Sequence, residues 1–86
     1  MRLRPNEAQT LDSRAFVWLR TGRLDKAIED AGAALARDPK LASSLYVRGV
    51  AKCRLGDSTA GDADLAAARF IEPKVDNEFG RYGVRP

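Results

Sequence analysis

Two arginine–aspartate pairs are the residues most able to do chemistry in this chain. Arg14 is followed by Asp30 and Arg48 by Asp64, at one and the same spacing. A guanidinium can hold a carboxylate or phosphate of a substrate through two parallel hydrogen bonds, and it can equally hold a carboxylate of its own chain. The second use is favoured, because the aspartate accompanies its arginine in both places. Other chemistry is poorly supplied. The chain has no histidine, which removes Ser-His and Cys-His nucleophilic pairs and the usual zinc ligand sets. Cys53 is the single cysteine, so an intrachain disulfide and a cysteine-based metal cluster are excluded. It lies in a helical pattern and reads as a small residue on a helix surface, ahead of a reactive thiol. No phosphate-cradling glycine loop is present. The expectation is a non-catalytic protein with no cofactor and no metal.

The elements that position these pairs follow from a repeat. The shift that carries Ala8 to Ala42 also carries Leu11 to Leu45, Arg14 to Arg48 and Arg20 to Arg54. It places Gly22 on Gly56, Asp30 on Asp64, Ala33-Ala34 on Ala67-Ala68 and Pro39-Lys40 on Pro73-Lys74. A fixed period in the range of roughly 20–50 residues marks stacked supersecondary units. Within the first copy, Leu11, Ala15, Trp18 and Leu19 recur at helical intervals up to Gly22, with Asn6 as the expected cap. Leu24, Ala27, Ile28, Ala31, Ala34 and Leu35 form a second apolar stripe, closed by Asp38-Pro39. Two helices joined by so short a turn pack antiparallel, and a residue midway along one then faces one midway along the other. Arg14 thereby meets Asp30, and Arg48 meets Asp64.

The second copy gives a helix ending at Leu55-Gly56 and another, capped by Asp57-Ser58, that runs to about Ile71. This fourth helix is expected to be the weak one. Gly61, Asp62 and Arg69 replace Ala27, Ile28 and Leu35, and an interior glycine costs ~0.5–1 kcal/mol relative to alanine. Under the same shift Phe79 falls on Leu11 and Leu45, so the tail reads as the start of a third first-helix, cut short. Phe79 and Tyr82 are expected to pack near Phe70, Ile71 and Val75. The organisation is therefore a lead-in over 1–5, two units within 6–75 (8–41 and 42–75), and a truncated third helix, or cap, with tail over 76–86. The fold class is all-α, an antiparallel helix-hairpin array of two full repeats plus a short C-terminal capping helix.

This punctuation resembles the tetratricopeptide repeat. The family's large, small and proline positions fall on Leu11, Ala15, Ala27, Ala34 and Pro39 in the first copy, and on Leu45, Gly49, Gly61, Ala68 and Pro73 in the second. Trp18 takes the family's late aromatic position, where Lys52 is a departure. The Arg–Asp pairs resemble a variant of these repeats in which the pair is structural.

The resemblance implies an interaction scaffold whose first helices line a concave groove. The groove positions it assigns are Gln9, Asp12, Phe16, Leu19 and Arg20, then Ser43, Tyr46, Val50, Cys53 and Arg54. Phe16, Leu19, Tyr46 and Val50 would form an exposed apolar strip, with Arg20 and Arg54 on the same edge favouring a peptide of some acidic character. The clamp that some relatives use for chaperone C-termini is not expected, because Asp12, Phe16, Ser43 and Val47 stand where it needs Lys or Asn. The partner is expected to be a protein or peptide, with homo-oligomerisation as the alternative. The chain itself is expected to be the C-terminal end of a longer one, and a cytoplasmic location is favoured if it is the whole.

Nucleic acid and membrane are not expected partners. The formal charge of +3 is modest and its Lys and Arg are scattered. No apolar run reaches the ~20 residues of a membrane span, and the first five residues lack the apolar core of a signal peptide.

Overall fold

Amphipathic stripes of helical period need a partner for each apolar face, and here the helices supply one another. The structure is a computed structural model that describes residues 7–84. It contains α1 (Glu7–Arg20), α2 (Leu24–Arg37), α3 (Ala42–Arg54), α4 (Ser58–Ile71) and α5 (Val75–Gly80), and no strand among the described residues. The fold is all-α. The expected cap at Asn6, the lead-in, and residues 85–86 lie outside the described residues. None of these helices is long and apolar enough to cross a membrane.

The helix ends have local causes. After α1, Gly22 adopts φ +82°, its amide donates to the Leu19 carbonyl, and the Arg23 amide reaches back to the Trp18 carbonyl at 2.8 Å. Gly56 repeats this after α3 at φ +95°, with the Asp57 amide on the Lys52 carbonyl. This paired closure satisfies carbonyls that a helix end leaves open, in a conformation that only glycine adopts readily. Pro39 and Pro73 stop α2 and α4, and the acid before each proline sets the next step. Asp38 accepts the Lys40 amide and Glu72 accepts the Lys74 amide. At the start of α4, Asp57 caps by accepting the Ala60 amide.

α1 packs on α2 and α3 on α4, while α2 and α3 lie against each other and α1 also touches α3. α5 rests on α3 and α4. One core results, containing Leu19, Ala27, Ala31, Tyr46, Val47, Val50, Leu65, Ala68, Val75 and Phe79. Asp12 on α1 ties the inner joint, accepting from the hydroxyls of Ser43 and Ser44 on α3 at 2.7 Å each.

Gly61, which costs α4 helix propensity, also has a packing role. Gly49 and Gly61 let the backbones of α3 and α4 approach so closely that a Cβ on Gly61 would lie 2.7 Å from the Gly49 carbonyl oxygen and 3.0 Å from the Cys53 nitrogen. A Cβ on Gly49 would meet the Leu65 side chain at 2.8 Å and the Gly61 carbonyl at 2.9 Å. The first pair has Ala15 and Ala27 at the corresponding positions, both fully buried. The glycines thus give up local helix stability in exchange for a tighter crossing.

Gly61→Ala separates these effects. The substitution gains ~0.5–1 kcal/mol of helix propensity, but overpacking against backbone that cannot yield costs ~1–3 kcal/mol. The variant should unfold at a lower temperature and lower urea concentration than the parent. A raised midpoint would show that α3 and α4 part freely.

Candidate functional site

Both predicted carboxylate–guanidinium pairs come together. The Asp30 carboxylate takes Arg14 Nε at 2.6 Å and Nη2 at 3.0 Å. Asp64 takes Arg48 Nε at 2.8 Å and Nη2 at 2.9 Å. Each also has a third donor that the pairing alone did not suggest. Trp18 Nε1 donates to Asp30 Oδ2 at 2.8 Å, and Lys52 Nζ stands 3.2 Å from Asp64 Oδ2. Trp18 and Lys52 are one sequence period apart, so the departure from the aromatic at Lys52 preserves a donor while changing the packing. Arg23 and Lys26 lie over the Trp18 ring, which covers the indole with cationic side chains.

These pairs are internal. Asp30 and Asp64 are buried, and their side chains face the neighbouring helix of their own pair. The hydrogen bond from Arg14 holds the Asp30 carboxyl below the usual range, against the opposing pull of burial and with help from Trp18. At Asp64 burial pushes upward, yet the bonds and charges of Arg48 and Lys52 still bring it below. Asp76 on α5 is lowered mainly by its bidentate bond from Arg69, at 2.7 and 3.0 Å.

The groove positions divide. Leu19, Tyr46 and Val50, expected to be exposed, are at most 1% exposed and belong to the core. Two contacts account for this. α1 and α3 touch directly, which encloses positions along their inner sides. α5 then folds over α3, stacking Phe79 on Tyr46 with centroids 4.5 Å apart. The Tyr46 hydroxyl, which burial would otherwise strand, donates to Asp76 at 2.9 Å. Of the expected neighbours, Phe70 lies outside the core that holds Val75 and Phe79, and Phe79 and Tyr82 turn to α1. Both make edge contacts with Phe16 of α1, at 5.7 and 5.5 Å, and Phe70 is 88% exposed.

Phe16 is half-buried, and Arg20 lies over its ring at 5.6 Å. Asp12 and Ser43 are half-buried and bonded to each other, while Gln9 and Arg54 are exposed. Cys53 is half-buried, with its thiol 3.7 Å from the Asp62 carboxylate; burial, and then that negative charge, push the thiol up and away from reactivity.

Phe16 and Arg20 line one opening of about 390 Å³ with Val17 and Thr21, and Phe16 also faces a second cleft of about 260 Å³ that involves three segments of the chain. α1 lines it with Asp12, Ser13 and Phe16, α3 with Ser43 and Val47, and the C-terminal segment with Phe79 and Tyr82. Ser13, Val47, Phe79 and Tyr82 were not among the groove residues expected from sequence. The closing wall depends on where the chain turns after α5, and that turn carries its own signal. Gly83 has φ +77°, its amide donates to the Gly80 carbonyl, and the Val84 amide reaches the Phe79 carbonyl. This closure buries Val84 beside Phe79 and leaves Tyr82 on the rim, 59% exposed.

Among the described residues no cluster could hold a metal ion. Set beside known protein families, curated proteins and solved structures, the chain matches none of them.

Removing one member of an ion pair costs little at an exposed site, ~0–1 kcal/mol, and ~3–5 kcal/mol at a fully buried one. The Arg48 side chain is 26% exposed and that of Arg14 58%. Arg48→Ala should therefore lower the thermal midpoint more than Arg14→Ala. Folding lowers the carboxyls of Asp30, Asp64 and Asp76 beneath the ordinary 3.8. The stability they contribute is present above that value and drains away as pH falls through their folded values. Urea midpoints should be level above about pH 5 and fall below about pH 4, with Asp64→Asn flattening the acid limb. A limb unchanged in Asp64→Asn would remove this carboxylate from the account.

Proposed function

We propose that the chain is a non-catalytic protein–protein interaction module, an antiparallel helix-hairpin repeat of the tetratricopeptide kind, that binds a peptide or protein segment in the cleft between α1, α3 and α5. Several features support the repeat reading. α2 and α4 have the same length and begin one sequence period apart, and the triply bonded carboxylate recurs on the same shift. Glu7 at the start of α1 meets Arg37 at the end of α2, as antiparallel neighbours would.

The observation that carries the binding reading is the cleft itself. Three aromatic rings line it, Phe16 from α1 and Phe79 and Tyr82 from the C-terminal segment, and the exposed Tyr82 gives a partner apolar surface to bury. Such central apolar anchors supply most of the energy of a recognition site, and polar groups around them set orientation.

Selection of displayed random peptides on the full chain tests this. Peptides that bind should shift the amide resonances of Ser13, Ser43 and Tyr82 in an NMR titration. Ser13→Trp, placed on the exposed lip, should weaken them at least about tenfold while leaving the thermal midpoint nearly unchanged, as surface changes do. Shifts confined to the outer sides of α2 and α4 would remove the cleft as the site.

A second reading, self-association, draws on α4. Phe70 is 88% and Ile71 40% exposed at its C-terminal end, and exposed apolar patches mark contact sites. If this patch joins two copies, light scattering gives a dimer mass that Phe70→Glu returns to that of the monomer. A monomer mass at high concentration in the parent chain excludes it.

A further inference from the structure

The charge in the cleft is negative. The acidic ligand expected from sequence rested on Arg20 and Arg54, yet neither lines the cleft. Arg20 sits over Phe16 from outside that lining. The charged group that does line it is Asp12, whose two oxygens each accept one serine hydroxyl. A serine hydroxyl donates a proton without cancelling the charge, and an ionised carboxylate has room for about four donors. Among the described residues none makes an ion pair with Asp12.

The remaining walls point the same way. Phe16, Phe79 and Tyr82 bring three rings to one small space. Ring faces attract cations, most strongly where water is partly excluded. Arg20 lies over the Phe16 ring from outside the cleft's lining, which shows that this ring attracts a guanidinium and also sets a like charge near one wall. At about 260 Å³ the cleft is smaller than the ~300–1,000 Å³ of small-molecule sites, and it suits one extended side chain. A lysine or arginine combines an apolar stem for the aromatic walls with a cationic head for the carboxylate.

Resting on the interaction-module reading above, we propose that the cleft of Asp12, Phe16 and Tyr82 is a pocket for a basic anchor residue, the lysine or arginine of a partner peptide. Asp12 receives the cationic head, while Ser43 and Ser44 hold the carboxylate in place. Phe16, Phe79 and Tyr82 enclose the stem. The same site disfavours an acidic residue, which would meet the carboxylate at short range with no counter-cation in the lining.

The test uses peptides selected on the chain and shown by NMR to occupy the cleft, resynthesised with lysine, arginine, norleucine or glutamate at the anchor. Affinities are measured by calorimetry at two salt concentrations. Lysine or arginine should bind at least about tenfold more tightly than norleucine, glutamate weakest, and the preference should shrink at high salt. Asp12→Asn, which keeps an oxygen for the serines, should erase the preference for the basic residue while leaving norleucine binding in place. Tyr82→Leu, at an exposed rim position, supplies a second variant in case Asp12→Asn fails to fold; it should reduce the basic preference more than norleucine binding. Cleft-bound peptides whose norleucine or glutamate forms bind as well as the lysine form would overturn the basic-anchor assignment and leave the module reading standing. If no peptide occupies the cleft, both fall. Whether lysine or arginine wins separates a point charge seated on the carboxylate from a planar group stacked on the rings.

Discussion

A buried carboxylate with three donors, made twice, is the interaction on which this small fold turns. Taking an aspartate out of water is expensive unless its oxygens are fully engaged. Asp30 and Asp64 solve this with a guanidinium fork from the neighbouring helix and one further donor, an indole in the first case and an ammonium in the second. The solution works only if the two helices hold one register. A slip of a single residue would turn the arginine away and strand the charge. The carboxylates therefore contribute less through net attraction than through the penalty they attach to other alignments, while the alanines and leucines around them supply non-directional burial.

The register within each helix pair leaves open how the pairs are joined, and a second set of polar contacts acts there. Asp12 on α1 reaches forward to Ser43 and Ser44 on α3, and Tyr46 on α3 reaches forward to Asp76 on α5. Asp12 and Tyr46 are one sequence period apart, so one position makes the forward link each time, with acceptor and donor exchanged. A side-chain bond thus ties α5 to α3, as others tie α3 to α1. α5 itself carries Phe79 onto Tyr46 and Phe16, Tyr82 follows onto Phe16, and the turn at Gly83 then closes the segment. The same segment that seals the core over Tyr46 forms one wall of the cleft.

Much of this was legible in the sequence, and the boundary of legibility has a physical cause. Local periodicity and punctuation located α1 to α5 to within a residue or two. The common spacing of Arg14–Asp30 and Arg48–Asp64 located both ion pairs, because facing positions in neighbouring antiparallel helices follow from arithmetic along the chain. The third donors were not found, since Trp18 and Lys52 share no chemical class, only a reach and a proton. Gly61 read as a weakness because propensity is a property of one helix, whereas its value lies in the distance between two. Leu19, Tyr46 and Val50 were assigned to a groove by resemblance, but exposure depends on which element finally covers a face. For Tyr46 that element is the short α5, which begins only after the whole of α4 has been laid down.

The contrast between α2 and α4 carries this one step further. Where α2 turns Leu35 into the core, α4 carries Arg69, and where α2 has Ile28, α4 has Asp62. Arg69 is engaged by Asp76 of α5, and Asp62 lies beside the Cys53 thiol. A helix laid along α4 as α3 is laid along α2 would have to displace or desolvate those charges. α5 meets this edge with the Asp76 carboxylate on Arg69, while its Val75 and Phe79 enter the core. Phe79 of α5 and Tyr82 after it make their edge contacts with Phe16 on α1. Asp76, which engages Arg69 of α4, also accepts from Tyr46, on which Phe79 stacks, so the polar contact at α4 and an aromatic wall of the cleft are carried by one short helix.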